Sequence, residues 1–186
     1  RRYPPGDAHV ITSAVEHASV RNTCACLQRD GYDVTVLPVD ETGQIHLDAL
    51  RTAIRPDTVL VSIMYGNNEV GTIQPIETVA TLCRQQDVLF HCDAVQALGK
   101  ADINPTNVPA DPMTFSAHKI HGPKGVGALF ARKRDVLTSI VTGGEHEHGL
   151  WAGTENVPGM VGFGVAAQGV SELVEHSHNV ARLRDR

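Results

Sequence analysis

Lys119 is the residue with the most chemical potential in this chain. It stands in Thr114-Phe115-Ser116-Ala117-His118-Lys119-Ile120-His121-Gly122-Pro123-Lys124-Gly125-Val126-Gly127. The run predicts a short strand over Met113–Ser116, a glycine-punctuated loop, and a second strand over Gly127–Ala131. A lysine beside Ser, His and Gly-Pro is badly placed for a solvated surface charge. Lysine carries three donors and no acceptor, and burial lowers its pKa, which suits it to imine formation. Ser116 and His118, two apart on an extended segment, share a face while Lys119 points the other way. A turn then gathers all three around one ligand. The plainer reading is an ordinary loop lysine with glycines that only shape a hairpin.

Other reactive side chains fall just after predicted strands: Glu16-His17, Asn67-Asn68-Glu69, and Asp93 with Gln96. Together they have one chemical logic. A cationic aromatic ring needs a planar partner to stack on, which His17 provides. A pyridinium nitrogen needs a carboxylate, which Asp93 provides. A phenolic oxygen takes amide donors from Asn68 and Gln96, and a phosphate takes Ser116, His118 and the loop backbone. Lys119 closes the imine. A pyridoxal phosphate site asks for such a lysine with an acidic partner for the ring nitrogen. Singly, each residue has a plainer role: Asp93 as a helix N-cap, His17 as a core histidine, Asn67 and Asn68 as turn residues. The joint arrangement favours the site.

Positioning these groups requires strands that end on one edge. His9–Ser13 is a short β-prone run, and Ala18–Asp30 has helical spacing with Val20, Cys24 and Leu27 on one side, stopping at Gly31. Asp33–Val39 alternates Val34 and Val36 as a strand, Asp40-Glu41-Thr42-Gly43 is a turn, and Leu47–Ile54 is a short helix. Thr58–Met64 (Thr-Val-Leu-Val-Ser-Ile-Met) is a continuous β-branched run of the kind buried on both sheet faces. Ile76–Gln86 is helical with Val79, Leu82 and Cys83 on one face, Val88–Cys92 is a strand, and a C-terminal helix lies around Val161–Val174. Strand, helix and strand alternate with short connections, which predicts an α/β fold with a mainly parallel sheet flanked by helices. In such sheets ligands bind beyond the carboxyl ends of the strands.

The 186 residues fit one domain. Apolar content of 41%, charged content of 20% and a net charge of −5 are ordinary for a globular protein and give no nucleic-acid surface. The basic residues from Arg132 to Arg134 read as a strand end facing water. No run approaches the roughly 18 apolar residues of a membrane helix, and no secretory signal pattern is visible. Cys24, Cys26, Cys83 and Cys92 form no metal-type pair or disulfide framework, so reduced, mostly buried thiols in a cytoplasmic protein are expected. The ten histidines, with His146-Glu147-His148 and a distant His91 or His121, can be drawn as a zinc site. That minor alternative lacks the spacing of zinc-protease helices.

The motifs Val15-Glu16-His17, Asn67-Asn68-Glu69-Val70-Gly71, His91-Cys92-Asp93-Ala94-Val95-Gln96 and Ser116 to Gly125 resemble those of class V aminotransferase-fold enzymes. More narrowly they resemble the cysteine desulfurases of the NifS/IscS type, and the likeness runs from about His9 to Gln168. The resemblance implies the large domain of an aspartate aminotransferase-like, pyridoxal-phosphate-dependent transferase. Lys119 matches the lysine that binds the cofactor as an imine and shuttles a proton, and His17 the histidine stacked on its ring. Asp93 matches the partner of the pyridine nitrogen, Gln96 the donor to the phenolic oxygen, and Asn68 an asparagine near that oxygen and the substrate carboxylate. Ser116 and His118 match phosphate ligands. Thr154 matches a threonine that reaches the phosphate of the neighbouring subunit, which implies a homodimer.

The same resemblance implies L-cysteine as substrate, alanine as product and a sulfur-acceptor protein in iron–sulfur cluster assembly, tRNA thiolation or DNA modification. A selenocysteine lyase is the nearest variant, and a non-catalytic fragment is an alternative of another class. Trp151 stands where the family carries arginine, and the loop Gly143 to Gly149 is altered. The chain also reads as an incomplete large domain. A Gly-rich phosphate-binding segment would precede residue 1, and a small domain with the persulfide cysteine and a substrate-binding arginine would follow residue 186. None of the four cysteines stands in the context of that persulfide cysteine, so the portion alone is expected to be inactive.

Overall fold

A computed structural model describes residues 3–105, 108, 110–132 and 136–186. Six strands make one sheet: β1 (His9–Ser13), β2 (Asp33–Leu37), β3 (Thr58–Met64), β4 (Leu89–Asp93), β5 (Met113–Ser116) and β6 (Gly127–Phe130). Their order is β2-β1-β3-β4-β5-β6, with all pairs parallel except the terminal β5–β6 hairpin. Helices α1 (Ala18–Arg29), α2 (Leu47–Ala53) and α3 (Ile76–Gln85) make the crossovers, and α4 (Val157–Gln168) and α5 (Val170–Arg184) close the chain.

The connections diverge at the middle of the sheet. From β1 the chain runs through α1 to β2 on one side, and from β3 it runs through α3 to β4 on the other. Right-handed crossovers therefore put α1 on one face of the sheet and α2 and α3, which touch each other, on the opposite face. The carboxyl ends of β1 and β3 form the switch point where open α/β sheets bind ligands. A cleft of about 470 Å³ opens there, lined among others by Glu16, His17, Asn67 and Asn68.

The core under this edge is built from the central strands and the inner faces of the helices. Ile11, Val61, Ile63, Cys92 and Met113 are fully buried, as are Ile76, Val79 and Cys83 of α3. The four thiols are unpaired, and all but Cys26 are buried. No single helix among the described residues is long and apolar enough to cross a membrane.

Several boundaries differ from the sequence reading for local reasons. Strand β2 stops at Leu37 because Pro38 has no N–H for the ladder, and Val39 retains only an isolated bridge to Ile45. On this edge strand Leu37 is buried while Val36 is 51% exposed, so the alternation does not put Val36 inward. Strand β4 starts at Leu89, and Val88 instead donates to Cys83 O in the turn that closes α3. The expected helix around Val161–Val174 is two helices, bent by 54° at Gly169. Lys133 and Arg134 lie outside the described residues. Arg132 is exposed just beyond β6, where its guanidinium donates to Pro105 O and Val108 O.

Candidate active site

The carboxyl ends of β1, β3, β4 and β5 deliver polar groups to the same edge. After β1 the chain turns into α1, whose N-cap is His17. Its Nδ1 accepts from Ser19 N at 3.2 Å and lies 2.8 Å from Ser19 Oγ. That leaves Nε2 as the protonated edge of the neutral ring. The ring is exposed, so His17 is not a core histidine.

Glu16, just before it, is buried to 3% exposure. Its Oε1 accepts from Ser13 Oγ at 2.7 Å and from Met64 N at 2.8 Å, tying the β1 turn to the end of β3. Burial pushes its carboxyl up to about 7, against those hydrogen bonds, and the charge of Asp93 adds to the rise. A second tie runs the other way, from Asn67 Nδ2 to Val15 O at 3.0 Å. Asn67 Oδ1 also accepts from Glu69 N at 2.8 Å and Val70 N at 2.9 Å, an Asx-type turn. Asn67 therefore has the turn role, and Asn68 stands exposed beside it on the cleft.

Asp93 closes β4 and is only 8% exposed. One carboxylate oxygen accepts from Val95 N at 3.0 Å. The other has no hydrogen-bond partner in the protein among the described residues, so the carboxylate both caps the following turn and keeps an acceptor. Gln96 lies in that turn, and its Oε1 accepts from Lys100 Nζ at 2.9 Å.

Beyond β5 the structure corrects one expectation. The segment is not extended: a 3-10 helix, Ala117–Ile120, begins directly after Ser116. Simple alternation does not apply, yet Ser116 Oγ and His118 Nδ1 still meet at 2.8 Å. Lys119 is exposed within this helix, so the expectation that its neighbours keep it from being a solvated charge is also corrected. His121 ends it in the left-handed region at φ +66°, and Gly122 N donates to Ala117 O at 2.9 Å. Gly127 then lies so close to β5 that a Cβ there would sit 2.7 Å from Phe115 O. The hairpin thus folds tightly back beneath the lysine.

Helix α4 touches the 3-10 helix, and its N-cap Asn156 Oδ1 accepts from Gly159 N at 3.1 Å. Thr154, two residues earlier, is exposed. No hydrogen bond within the chain joins it to Ser116 or His118 among the described residues. In the neighbouring loop His146 Nδ1 pairs with Glu155 Oε1 at 2.8 Å. Among the described residues no three His, Cys, Asp or Glu side chains group as a metal site.

The sequence pattern assigned no role to Glu16 or Lys100. Glu16 carried no signal beyond its adjacency to His17. Lys100 could have been found from its spacing, four residues after Gln96.

The donor set fits pyridoxal phosphate: a partly uncommitted buried carboxylate after β4, an exposed primary amine after β5, hydroxyl and imidazole beside it, and an exposed imidazole across the edge. The aminotransferase class-V family profile matches residues 2–182, and the chain belongs to that family of pyridoxal-phosphate enzymes. It is 46% identical over 179 residues to the cysteine desulfurase IscS of Methanosarcina thermophila, covering 96% of this chain and 44% of that protein. It is 45% identical over 185 residues to a cysteine desulfurase of Nostoc sp., covering 98% of this chain and 46% of that protein. Among solved structures, a NifS-like protein superposes with a TM-score of 0.88 at 41% identity, over 91% of this chain and 47% of that one. SspA in complex with cysteine superposes at 0.84 and 42% identity, over 87% and 47%. The chain thus spans about half the length of the relatives it matches.

Proposed function

We propose that this chain is the cofactor-holding large domain of a cysteine desulfurase, which removes sulfur from L-cysteine and leaves L-alanine. The observation that carries the reading is the pair Asp93 and Lys119: a buried carboxylate and a primary amine at the carboxyl ends of adjacent strands in a class V fold. Pyridoxal phosphate, when bound, supplies the electron sink for bonds at the substrate Cα. Lys119 holds it covalently and carries the Cα proton. Asp93 keeps a proton on the ring nitrogen, and His17 stacks on the ring with Nε2 free to donate. Gln96 and Asn68 donate to the phenolic oxygen, and Ser116 and His118 take the phosphate. Thr154 serves the partner subunit's phosphate in a homodimer.

The sulfur has to leave on a thiolate, and the cysteines here are poorly suited to receive it. Burial holds the thiol of Cys92 well above its ordinary range and pushes Cys83 up to about 12. Cys24 is likewise raised by burial. Cys26 is exposed but lies eight residues beyond the start of α1, roughly 12 Å along the helix away from the edge. On this reading none of these four is the receiving cysteine, which in turn passes sulfur to an acceptor protein.

The test is the near-visible spectrum of the full-length protein with pyridoxal phosphate, before and after borohydride. Wild type is expected to show a yellow band that borohydride converts to a permanent label, and Lys119→Ala neither. A label that survives Lys119→Ala sinks the assignment of the lysine. A wild type with no band sinks the cofactor reading.

A further inference from the structure

The turn after β4 carries a lysine that the proposed roles leave unused. Beyond Asp93 the backbone coils in successive helical turns: Ala97 N and Leu98 N donate to Ala94 O, then Lys100 N and Ala101 N to Ala97 O. Coiling of this kind sets residues four apart on one side. Lys100 Nζ accordingly reaches Gln96 Oε1 at 2.9 Å.

A glutamine amide has an acceptor end and a donor end of nearly the same shape, and its neighbours decide which way round it sits. An ammonium only donates. With Lys100 in place the oxygen must face the lysine, and Nε2 is the end left over. Nε2 has no partner in the protein among the described residues.

The turn is also pressed against the Lys119 loop. Gly99 stands at φ +75°, and a Cβ there would lie 3.0 Å from Ile120 Cγ2 and 3.2 Å from Leu173 Cδ1. Ile120 directly follows Lys119. Partial desolvation of its amine and then the Lys119 charge lower the pKa of Lys100, although the side chain as a whole is exposed, which agrees with the two amines lying near each other.

We propose that Lys100 is a positioning residue: it holds the Gln96 amide with its nitrogen toward the phenolic oxygen of pyridoxal phosphate. The inference rests on the cofactor reading above. Without the ammonium the amide can turn over and offer that oxygen a carbonyl, which repels it. Lys100 touches neither cofactor nor substrate in this role and acts only through Gln96.

The experiment compares wild type, Lys100→Met, Lys100→Arg and Gln96→Glu in the full-length holoprotein, reading the near-visible band and the dissociation constant for pyridoxal phosphate. Gln96→Glu removes the donor nitrogen outright and defines the spectral signature of its loss. Lys100→Met is expected to shift the band in the same direction and to weaken cofactor binding about threefold to tenfold, the size of one hydrogen bond. Lys100→Arg keeps a donor and is expected to restore the wild-type band. Lys100 is exposed, so the near-ultraviolet circular dichroism of the apoproteins is expected to match. A Lys100→Met protein with wild-type band and affinity overturns the inference, as does a Gln96→Glu protein with no shift. A wild type that takes up no pyridoxal phosphate overturns the cofactor reading itself, a separate and visible outcome.

Discussion

Glu16 Oε1 accepts the backbone N–H of Met64 at 2.8 Å, and through that bond the turn carrying His17 is fixed to the strand that precedes Asn67 and Asn68. Asn67 returns the tie by donating to Val15 O. Two loops far apart in sequence thus clamp each other, each through the residue beside a proposed cofactor contact. The clamp sits at the switch point of the sheet, where the connections leaving β1 and β3 part and a cleft is unavoidable. The site is therefore held by its own second layer of polar groups rather than by loop length alone.

The clamp has a cost that depends on pH. Glu16 titrates near 7 in the folded chain, against an ordinary value of 4.5, because burial disfavours its charged form. Between those values the folded state binds more protons than the unfolded one, so stability falls as pH rises and the loss is complete above about 7. Glu16→Gln keeps an Oε1 acceptor and removes the titration. Unfolding by urea at pH 5 and pH 8 is expected to show a smaller drop for the variant, by on the order of 2 kcal/mol. Equal drops in both proteins would show that Glu16 does not titrate in this range.

Asn67 makes three hydrogen bonds to backbone groups with one amide, and Nδ2 also donates to Met64 Sδ at 3.6 Å. Asn67→Ala is expected to cost roughly 2–3 kcal/mol, about 1 for each bond. Asn67→Asp keeps the oxygen that caps Glu69 N and Val70 N but loses the donor to Val15 O. Its melting temperature is expected to fall between those of wild type and Asn67→Ala. An aspartate variant as stable as wild type would show that the tie to Val15 is dispensable.

Much of this architecture was legible in the residues. Thr58–Met64 reads as a buried central strand, and its bounds match those of β3 because seven apolar or small residues leave no other solution. The groups after β1, β3, β4 and β5 were legible because parallel strands must deliver their ends to one edge. What the pattern missed is governed by contacts distant in sequence or by geometry that periodicity does not encode. The ionisation of Glu16 is raised by burial at a site where it also accepts from Met64 N, 48 residues away, a contact that periodicity does not reveal. The 3-10 helix around Lys119 depends on the left-handed turn at His121 and on the return of β6. The break at Gly169 splits the helix expected around Val161–Val174 into α4 and α5, a 54° bend that helical periodicity does not encode.

Asp93→Asn separates binding from chemistry. The amide oxygen still accepts from Val95 N, so the turn and the strand end are expected to survive. A neutral amide cannot hold a proton on the ring nitrogen as a carboxylate does. Losing one charge-assisted hydrogen bond, about 1.5–3 kcal/mol, should lower turnover by roughly 10- to 150-fold while far-ultraviolet circular dichroism stays unchanged. Steady-state kinetics of the full-length protein with L-cysteine check this, and turnover within twofold of wild type would remove Asp93 from the site.

The hairpin behind Lys119 makes the sharpest steric prediction. At Gly127 a Cβ would lie 2.7 Å from Phe115 O, a backbone atom that cannot rotate away. Gly127→Ala must therefore push β6 off β5, where Ser116 pairs with Gly127 at the mouth of the lysine loop. A cost of about 1–3 kcal/mol is expected, the range for an overpacked site. Gly125→Ala is the control: a Cβ there meets nothing within 4 Å, and only its φ of +79° opposes the change. Thermal unfolding should rank wild type above Gly125→Ala and Gly125→Ala above Gly127→Ala. The Gly127 variant should also take up pyridoxal phosphate more weakly, because Ser116 and the lysine loop move with the hairpin. The reverse ranking would mean that backbone conformation, not the approach to Phe115, sets the need for glycine in this loop.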